Sequence, residues 1–273
     1  MDIFDIFALS FMQRAFIAAL LLSVLFSCFG TFIVPRRLGF MADGISHASL
    51  LGIAAGIVIG VYPMILAITI AAFFGFLLAR ITDHGRITQD GLVGVFLCGG
   101  MAGAIILMSL VPGYKPELFS YLFGDILSIR WLEIYGLCVF FIVTLILFFL
   151  QWRSLVITTV HTDLSHVIHM PVRRTRYFLF IGTSVALIAG VKLLGVILVS
   201  ALLIIPVLTA NQLGKSLKST ILFTQAIAIL AAFFGIVVSY ILDIPSGPSI
   251  ALLLVIVFVI VWIYSSLKSR GIQ

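Results

Sequence analysis

The sequence predicts an all-α protein, a polytopic transmembrane helical bundle of eight or nine spans forming a single domain over residues 1–273. Three observations carry this expectation. Of 273 residues, 63% are hydrophobic and 10% charged, where an ordinary soluble domain has roughly 45–50% and 25%. The apolar residues gather into runs that approach the roughly 20 residues a helix needs to cross the hydrocarbon core of a bilayer. The net charge of +6 comes from basic residues placed at the ends of those runs. That placement sets membrane topology and makes no phosphate-binding face, so lipid is the expected surround and nucleic acid is not an expected partner.

The runs follow one another along the chain. The first, 11–34, ends in Pro35-Arg36-Arg37. A secretory signal has a shorter apolar core and a small-residue cleavage site, so this run is expected to span. Runs 38–60, 63–79, 91–111 and 131–150 come next. The following two, 177–190 and 193–212, are short and meet at Gly190-Val191-Lys192. They fit either a tight hairpin or one broken helix, which leaves the count at eight or nine. Runs 219–242 and 248–267 complete the set, and the longest polar interval, about 151–176, is too short for a soluble domain. Pro112 to Pro116 and Asp243 to Pro248 carry turn chemistry that should interrupt regular helix. Cys28, Cys98 and Cys138 lie in apolar stretches without metal-ligand spacing and read as small buried hydrophobes.

Orientation follows from the basic residues. With the 153–176 interval placed in the cytoplasm, the inner side collects Arg36, Arg37, Arg80, Arg86, Arg153, Arg173, Arg174, Arg176, Lys215, Lys218, Lys268 and Arg270. The outer side keeps Arg14, Lys115, Arg130 and Lys192, so twelve of sixteen basic residues face inward. Nine spans then put the N-terminus outside and the C-terminus inside.

Asp43 and His47 are the most informative pair. They stand at i and i+4 near the start of an otherwise apolar span, on one helix face and one turn apart. An ionisable side chain within a span costs several kcal/mol (about 2.5–3.5 by the lower scales), so it faces a bundle interior or a wet pathway. Carboxylate oxygen with imidazole nitrogen suits zinc, manganese or ferrous iron. The same pair also fits a hydrogen bond that locks two helices together. Two ligands are too few for a closed structural site, whereas a transport site must release what it binds.

The segment Arg36-Arg37, followed by Met41-Ala42-Asp43-Gly44-Ile45-Ser46-His47-Ala48-Ser49-Leu50-Leu51-Gly52, resembles the signature of metal-type ABC importer permeases. Tyr121 to Leu127, Lys192 to Pro206 and Pro245-Ser246-Gly247-Pro248 match the same family in the same order. The resemblance implies a type II-like ABC importer permease architecture in a bacterial cytoplasmic (inner) membrane. It implies a second copy of the permease, a separate ATP-binding cassette ATPase subunit and an extracytoplasmic metal-binding protein as partners. It makes Asp43 and His47 the contacts for a transported divalent metal ion, with no cofactor held permanently. The wording around His47 and around Tyr121 to Asp125 is closer to the zinc branch, with manganese or iron as the alternative cargo.

By the same resemblance a cytoplasmic coupling helix lies at about 160–171, with Asp163, Leu164, Ser165 and His166 docking onto the ATPase. Asp163, His166 and His169 could also share a face and bind zinc, or simply form a solvated docking helix. The Tyr121–Leu127 stretch, with Glu117 and Asp125 nearby, is an outward candidate contact for the binding protein. His84, beside Asp83, reads as solvated.

ATP hydrolysis belongs elsewhere. Gly214-Lys215-Ser216 resembles the tail of a phosphate-binding loop, but Thr209 stands where that loop needs glycine. A proton-coupled transporter would need a relay of ionisable groups, and beyond Asp43 and His47 the apolar runs hold almost none. An intramembrane zinc protease would need His-Glu-x-x-His, which is absent. A permease for large organic chelates would need a wide pathway and not two ligating side chains.

Overall fold

The computed structural model describes residues 9–81, 88–111, 124, 129–160 and 170–270. Among these the structure is helical throughout. The elements are α1 (Ser10–Ile33), a 3-10 turn at Val34–Arg36, α2 (Met41–Ile59), α3 (Pro63–Ile81), α4 (Gln89–Ser109), α5 (Trp131–Val160), α6 (Val172–Leu213), α7 (Leu217–Leu242) and α8 (Ser246–Arg270). Each of the eight α-helices is long and apolar enough to cross a membrane.

The open question about the sixth and seventh apolar runs is resolved at Gly195. Residues 172–213 form two helical arms that meet at Gly195, whose φ of 79° and ψ of 162° lie far outside helical values. The two arms fold back on each other there. A methyl group added at Gly190 would lie 3.0 Å from Val199 Cγ2, although nine residues of straight helix would separate them by about 13.5 Å. The middle of α1 sees both arms, with Phe29 against Gly182 and Gly30 against the Leu203 carbonyl. The run is therefore a tight hairpin, which makes two apolar arms of α6 and nine apolar helical segments among the described residues.

Contacts at the two ends of the bundle agree with the charge count. At one end an Arg36 Nη2 donates to Thr158 Oγ1 (2.9 Å) and Thr159 Oγ1 (3.1 Å), and the hydroxyls of Ser154 and Thr175 meet at 2.6 Å. This brings Arg36 and the Arg173–Arg176 cluster together. At the opposite end Lys192 pairs with Glu133 and donates to the Tyr62 hydroxyl (3.3 Å).

Three sequence expectations change. Helix α5 continues ten residues past the expected end at 150, because Thr158 and Thr159 return their hydroxyls to their own helix's carbonyls and also accept from Arg36. Helix α8 begins inside the Asp243–Pro248 segment, with Pro248 in the first turn, where a proline nitrogen has no intrahelical partner to lose. All three cysteines are free; Cys28 and Cys138 are half-buried and pack against the core, but Cys98 is exposed. A bilayer as solvent gives apolar residues an outward-facing home that a soluble protein lacks.

The core lies where α1, α2 and the α6 hairpin pack, with Phe26, Phe29, Phe32, Ile45, Leu198 and Leu202 fully or almost fully buried. Helices α4, α5, α7 and α8 present long rows of exposed Ile, Leu, Val and Phe outward.

Candidate functional site

Helix α2 is the element that positions the site. The 3-10 turn stops at Arg37, whose φ of 60° reverses the chain, and α2 begins at Met41. Arg36 anchors this reversal to α5 through Thr158 and Thr159. That gives the basic pair of the signature a structural duty. Small residues then let neighbouring backbones close on α2. A Cβ on Gly100 of α4 would overlap Ala48, and one on Gly52 would lie 2.6 Å from the Ala67 Cα of α3. Helices α3 and α4 are themselves joined by Phe74 stacked on Phe96 at 4.5 Å. The result is a helix clamped on two sides beside the α6 hairpin.

Along this helix Asp43, His47, Leu51 and Ala55 are half-buried, while Gly44, Ile45, Ser46, Ala48, Ser49 and Leu50 between them are buried. The four-residue spacing makes them a single lane of partial opening, which ends at exposed Val58 and Ile59. Asp43 and His47 thus share a face, as their spacing predicts. Asp43 also lies in the first turn of α2, where the positive end of the helix dipole favours a carboxylate.

Asp43 has a partner that the sequence reading missed. Ser200, five residues past the Gly195 break, donates its hydroxyl to Asp43 Oδ1 at 2.5 Å. Ser200 is the sole hydroxyl-bearing or ionisable residue between Leu193 and Pro206, and that isolation is the signal that could have singled it out. His47 differs: its Nδ1 is buried with no hydrogen-bond partner among the described residues. A buried imidazole nitrogen left open on a lane beside a carboxylate fits a donor waiting for a ligand. Among the described residues no group of three or more His, Cys, Asp or Glu side chains is placed to hold a metal ion. The pair is an incomplete set, suited to handing an ion on.

The other expected site residues lie outside the described residues. These are Asp163, Leu164, Ser165 and His166, with His169, Glu117 and Asp125; His84, read as solvated, lies outside them too. The flanking elements are described, and α5 ends at Val160 while α6 begins at Val172. Gly214-Lys215-Ser216 is the turn between α6 and α7, and Ser216 caps α7 in a reciprocal pair with Ser219. Its residues serve a helix start.

The ABC 3 transport family matches residues 8–265 of the chain. A high-affinity zinc uptake system membrane protein, ZnuB of Haemophilus influenzae, is 26% identical over 248 residues, covering 90% of this chain and 94% of that protein. A manganese import system permease protein, ScaB of Streptococcus gordonii, is 30% identical over 250 residues, covering 92% and 90%. Among solved structures, PsaBC from Streptococcus pneumoniae in complex with Fab superposes with a TM-score of 0.84 at 28% identity, covering 95% of this chain and 94% of that one.

Proposed function

The chain belongs to the ABC 3 transport family, and from that premise we propose that it is the membrane-spanning subunit of an ATP-driven importer for a divalent transition metal. Asp43 and His47 are the residues that contact the cargo. The observation that carries this reading is the lane on α2. It sets a carboxylate and an open imidazole nitrogen one turn apart on a half-buried face of an otherwise apolar bundle. Metal relatives matched over nearly their whole length support the cargo class.

Zinc is the cargo favoured by the wording around His47. Manganese is the second reading, supported by the 30% identity to a manganese import permease. Oxygen–nitrogen sites rank divalent metals by affinity order and availability more than by ligand list, so both belong to one class.

Two donors per chain leave a dication short of ligands, and a second copy of this permease across the lane supplies the rest. ATP is hydrolysed on a separate ATP-binding cassette subunit, which docks onto the segment containing Asp163, Leu164, Ser165 and His166. The helix ends that flank this segment in sequence, α5 and α6, meet at the basic end of the bundle, which supports that role. An extracytoplasmic metal-binding protein delivers the ion to the opposite end, where Tyr62 is exposed. The setting is the cytoplasmic membrane of a bacterial cell.

Asp43→Asn tests the reading. It keeps size and hydrogen-bonding capacity while removing the charge that offsets a dication. Uptake of zinc and manganese should be lost, with membrane insertion and thermal stability in detergent retained. Near-normal uptake of both metals would overturn the cargo contact.

A further inference from the structure

We propose that Ser200 is a third donor for the transported ion, holding Asp43 ready while the pathway is empty and turning its oxygen onto the metal when the ion arrives. The proposal rests on the reading of Asp43 and His47 as the cargo contacts.

Hydroxyl groups elsewhere in this bundle show why Ser200 stands apart. Ser23, Ser27, Thr31, Ser184, Thr209 and Thr224 each donate to the carbonyl four residues earlier on their own helix, at 2.6–2.8 Å. Such bonds satisfy a hydroxyl in an apolar surround without involving a neighbour. Ser200 instead reaches from the return arm of the α6 hairpin to α2, and its acceptor is the one carboxylate on the lane. The Gly195 break begins that arm and sets its rotation, five residues before Ser200.

Geometry permits the exchange. The two oxygens are 2.5 Å apart, and zinc–oxygen ligand distances are about 2.0–2.2 Å. One ion can therefore touch Asp43 Oδ1 and Ser200 Oγ together, at the apex of a narrow triangle. A serine hydroxyl has one proton and two lone pairs. In the empty pathway the proton faces Asp43. When a cation takes Oδ1, the hydroxyl rotates, a lone pair turns to the ion, and the proton moves to the carbonyl of Val196, the acceptor position that the other hydroxyls use. No bond to hydrogen is broken. The bound ion then has carboxylate, imidazole and hydroxyl donors from one chain. Asp43 meanwhile never lies in the bundle without a hydrogen-bond donor, which would be costly for a charged oxygen.

Cobalt(II) titration of the purified full-length protein in detergent tests this, because cobalt–thiolate bonds absorb strongly in the near ultraviolet. Ser200→Cys should acquire that band on cobalt addition, whereas the wild type, with Cys28, Cys98 and Cys138, should not. Adding Asp43→Asn to Ser200→Cys should abolish it. Ser200→Ala should weaken cobalt binding about tenfold, the scale of a lost ligand or supporting contact, and Ser200→Thr should stay within about threefold of wild type. No band in Ser200→Cys, unchanged affinity in Ser200→Ala, or a wild type that binds no cobalt would each overturn the proposal. Uptake by Asp43→Asn in cells is read separately. If that uptake is lost while the cobalt results fail, Ser200 is no donor and the pathway stands. If that uptake is normal, the pathway reading itself falls.

Discussion

Two of the polar clusters among the described residues of this apolar bundle are finished to different degrees. At one end Lys192 of the α6 hairpin pairs with Glu133 at the start of α5, donates to the Tyr62 hydroxyl and lies 5.8 Å from the centre of the Tyr62 ring. Glu133 also accepts from the Arg130 backbone at 3.1 Å. Charge meets charge, and three elements are tied at their tips. Inside the bundle Asp43 has a neutral serine as its recorded partner, and His47 keeps a buried nitrogen open. Satisfied charges make a joint, and unsatisfied ones in a low-dielectric surround are retained only where something else uses them.

The comparison is tested most severely at Asp43. The asparagine substitution should reduce metal uptake by at least about tenfold, on the scale of a lost ligand, while the unfolding temperature stays within error of wild type. If the unfolding temperature falls sharply and uptake per folded molecule persists, Asp43 is a joint like Glu133 and the distinction disappears.

A packing change beside the lane comes next. Gly100→Val would force a side chain into Ala48, one residue from His47. Overpacking of this kind costs about 1–3 kcal/mol. The variant should lose stability and uptake together, since the wall that holds α2 must move. Thermal unfolding and uptake measured on the same preparation check this. Intact stability would mean that α4 yields freely and that the clamp is weaker than the close approach implies.

The outer cluster should respond in the opposite sense to Asp43. Lys192→Met or Glu133→Leu alone leaves one partly buried charge unpaired, whereas the double replacement removes both. The double variant should therefore be less destabilised than the sum of the singles, with a coupling of about 0.5–3 kcal/mol in unfolding free energy. Uptake should follow the amount of folded protein. Strictly additive losses would show that the ion pair contributes nothing to the joint.

The smallest effect is expected at a hydroxyl spent within its own helix. Ser23→Ala removes a bond to the Ala19 carbonyl at 2.6 Å and nothing between helices. Stability should change by less than about 1 kcal/mol, with uptake unaltered. A large loss would undo the contrast drawn between these hydroxyls and Ser200.

What the sequence determined by itself was whatever depends on composition and local period. The apolar runs gave the spans to within a few residues except at α5, the basic residues sorted into two ends, and the four-residue spacing put Asp43 and His47 on one face. Each is a property of a single helix in lipid, where apolar length and backbone hydrogen bonding leave few alternatives. The reversal within α6 needed more, because a glycine between two short runs serves a kink or a reversal equally well, and packing of the first arm against Phe26 and Phe29 and of the return arm against Gly30 of α1 decided it. Helix α5 ran on through Gln151 and Arg153 because Arg36, more than a hundred residues away, met Thr158 and Thr159. Ser200 could not be paired with Asp43 from sequence, since 157 residues separate them and neither position's local pattern points to the other. Helix contacts in membranes depend on close approach at small residues and on single polar bonds, not on an amphipathic stripe. Such contacts leave little periodic trace, so the donor partners of a site emerge only when the helices are assembled.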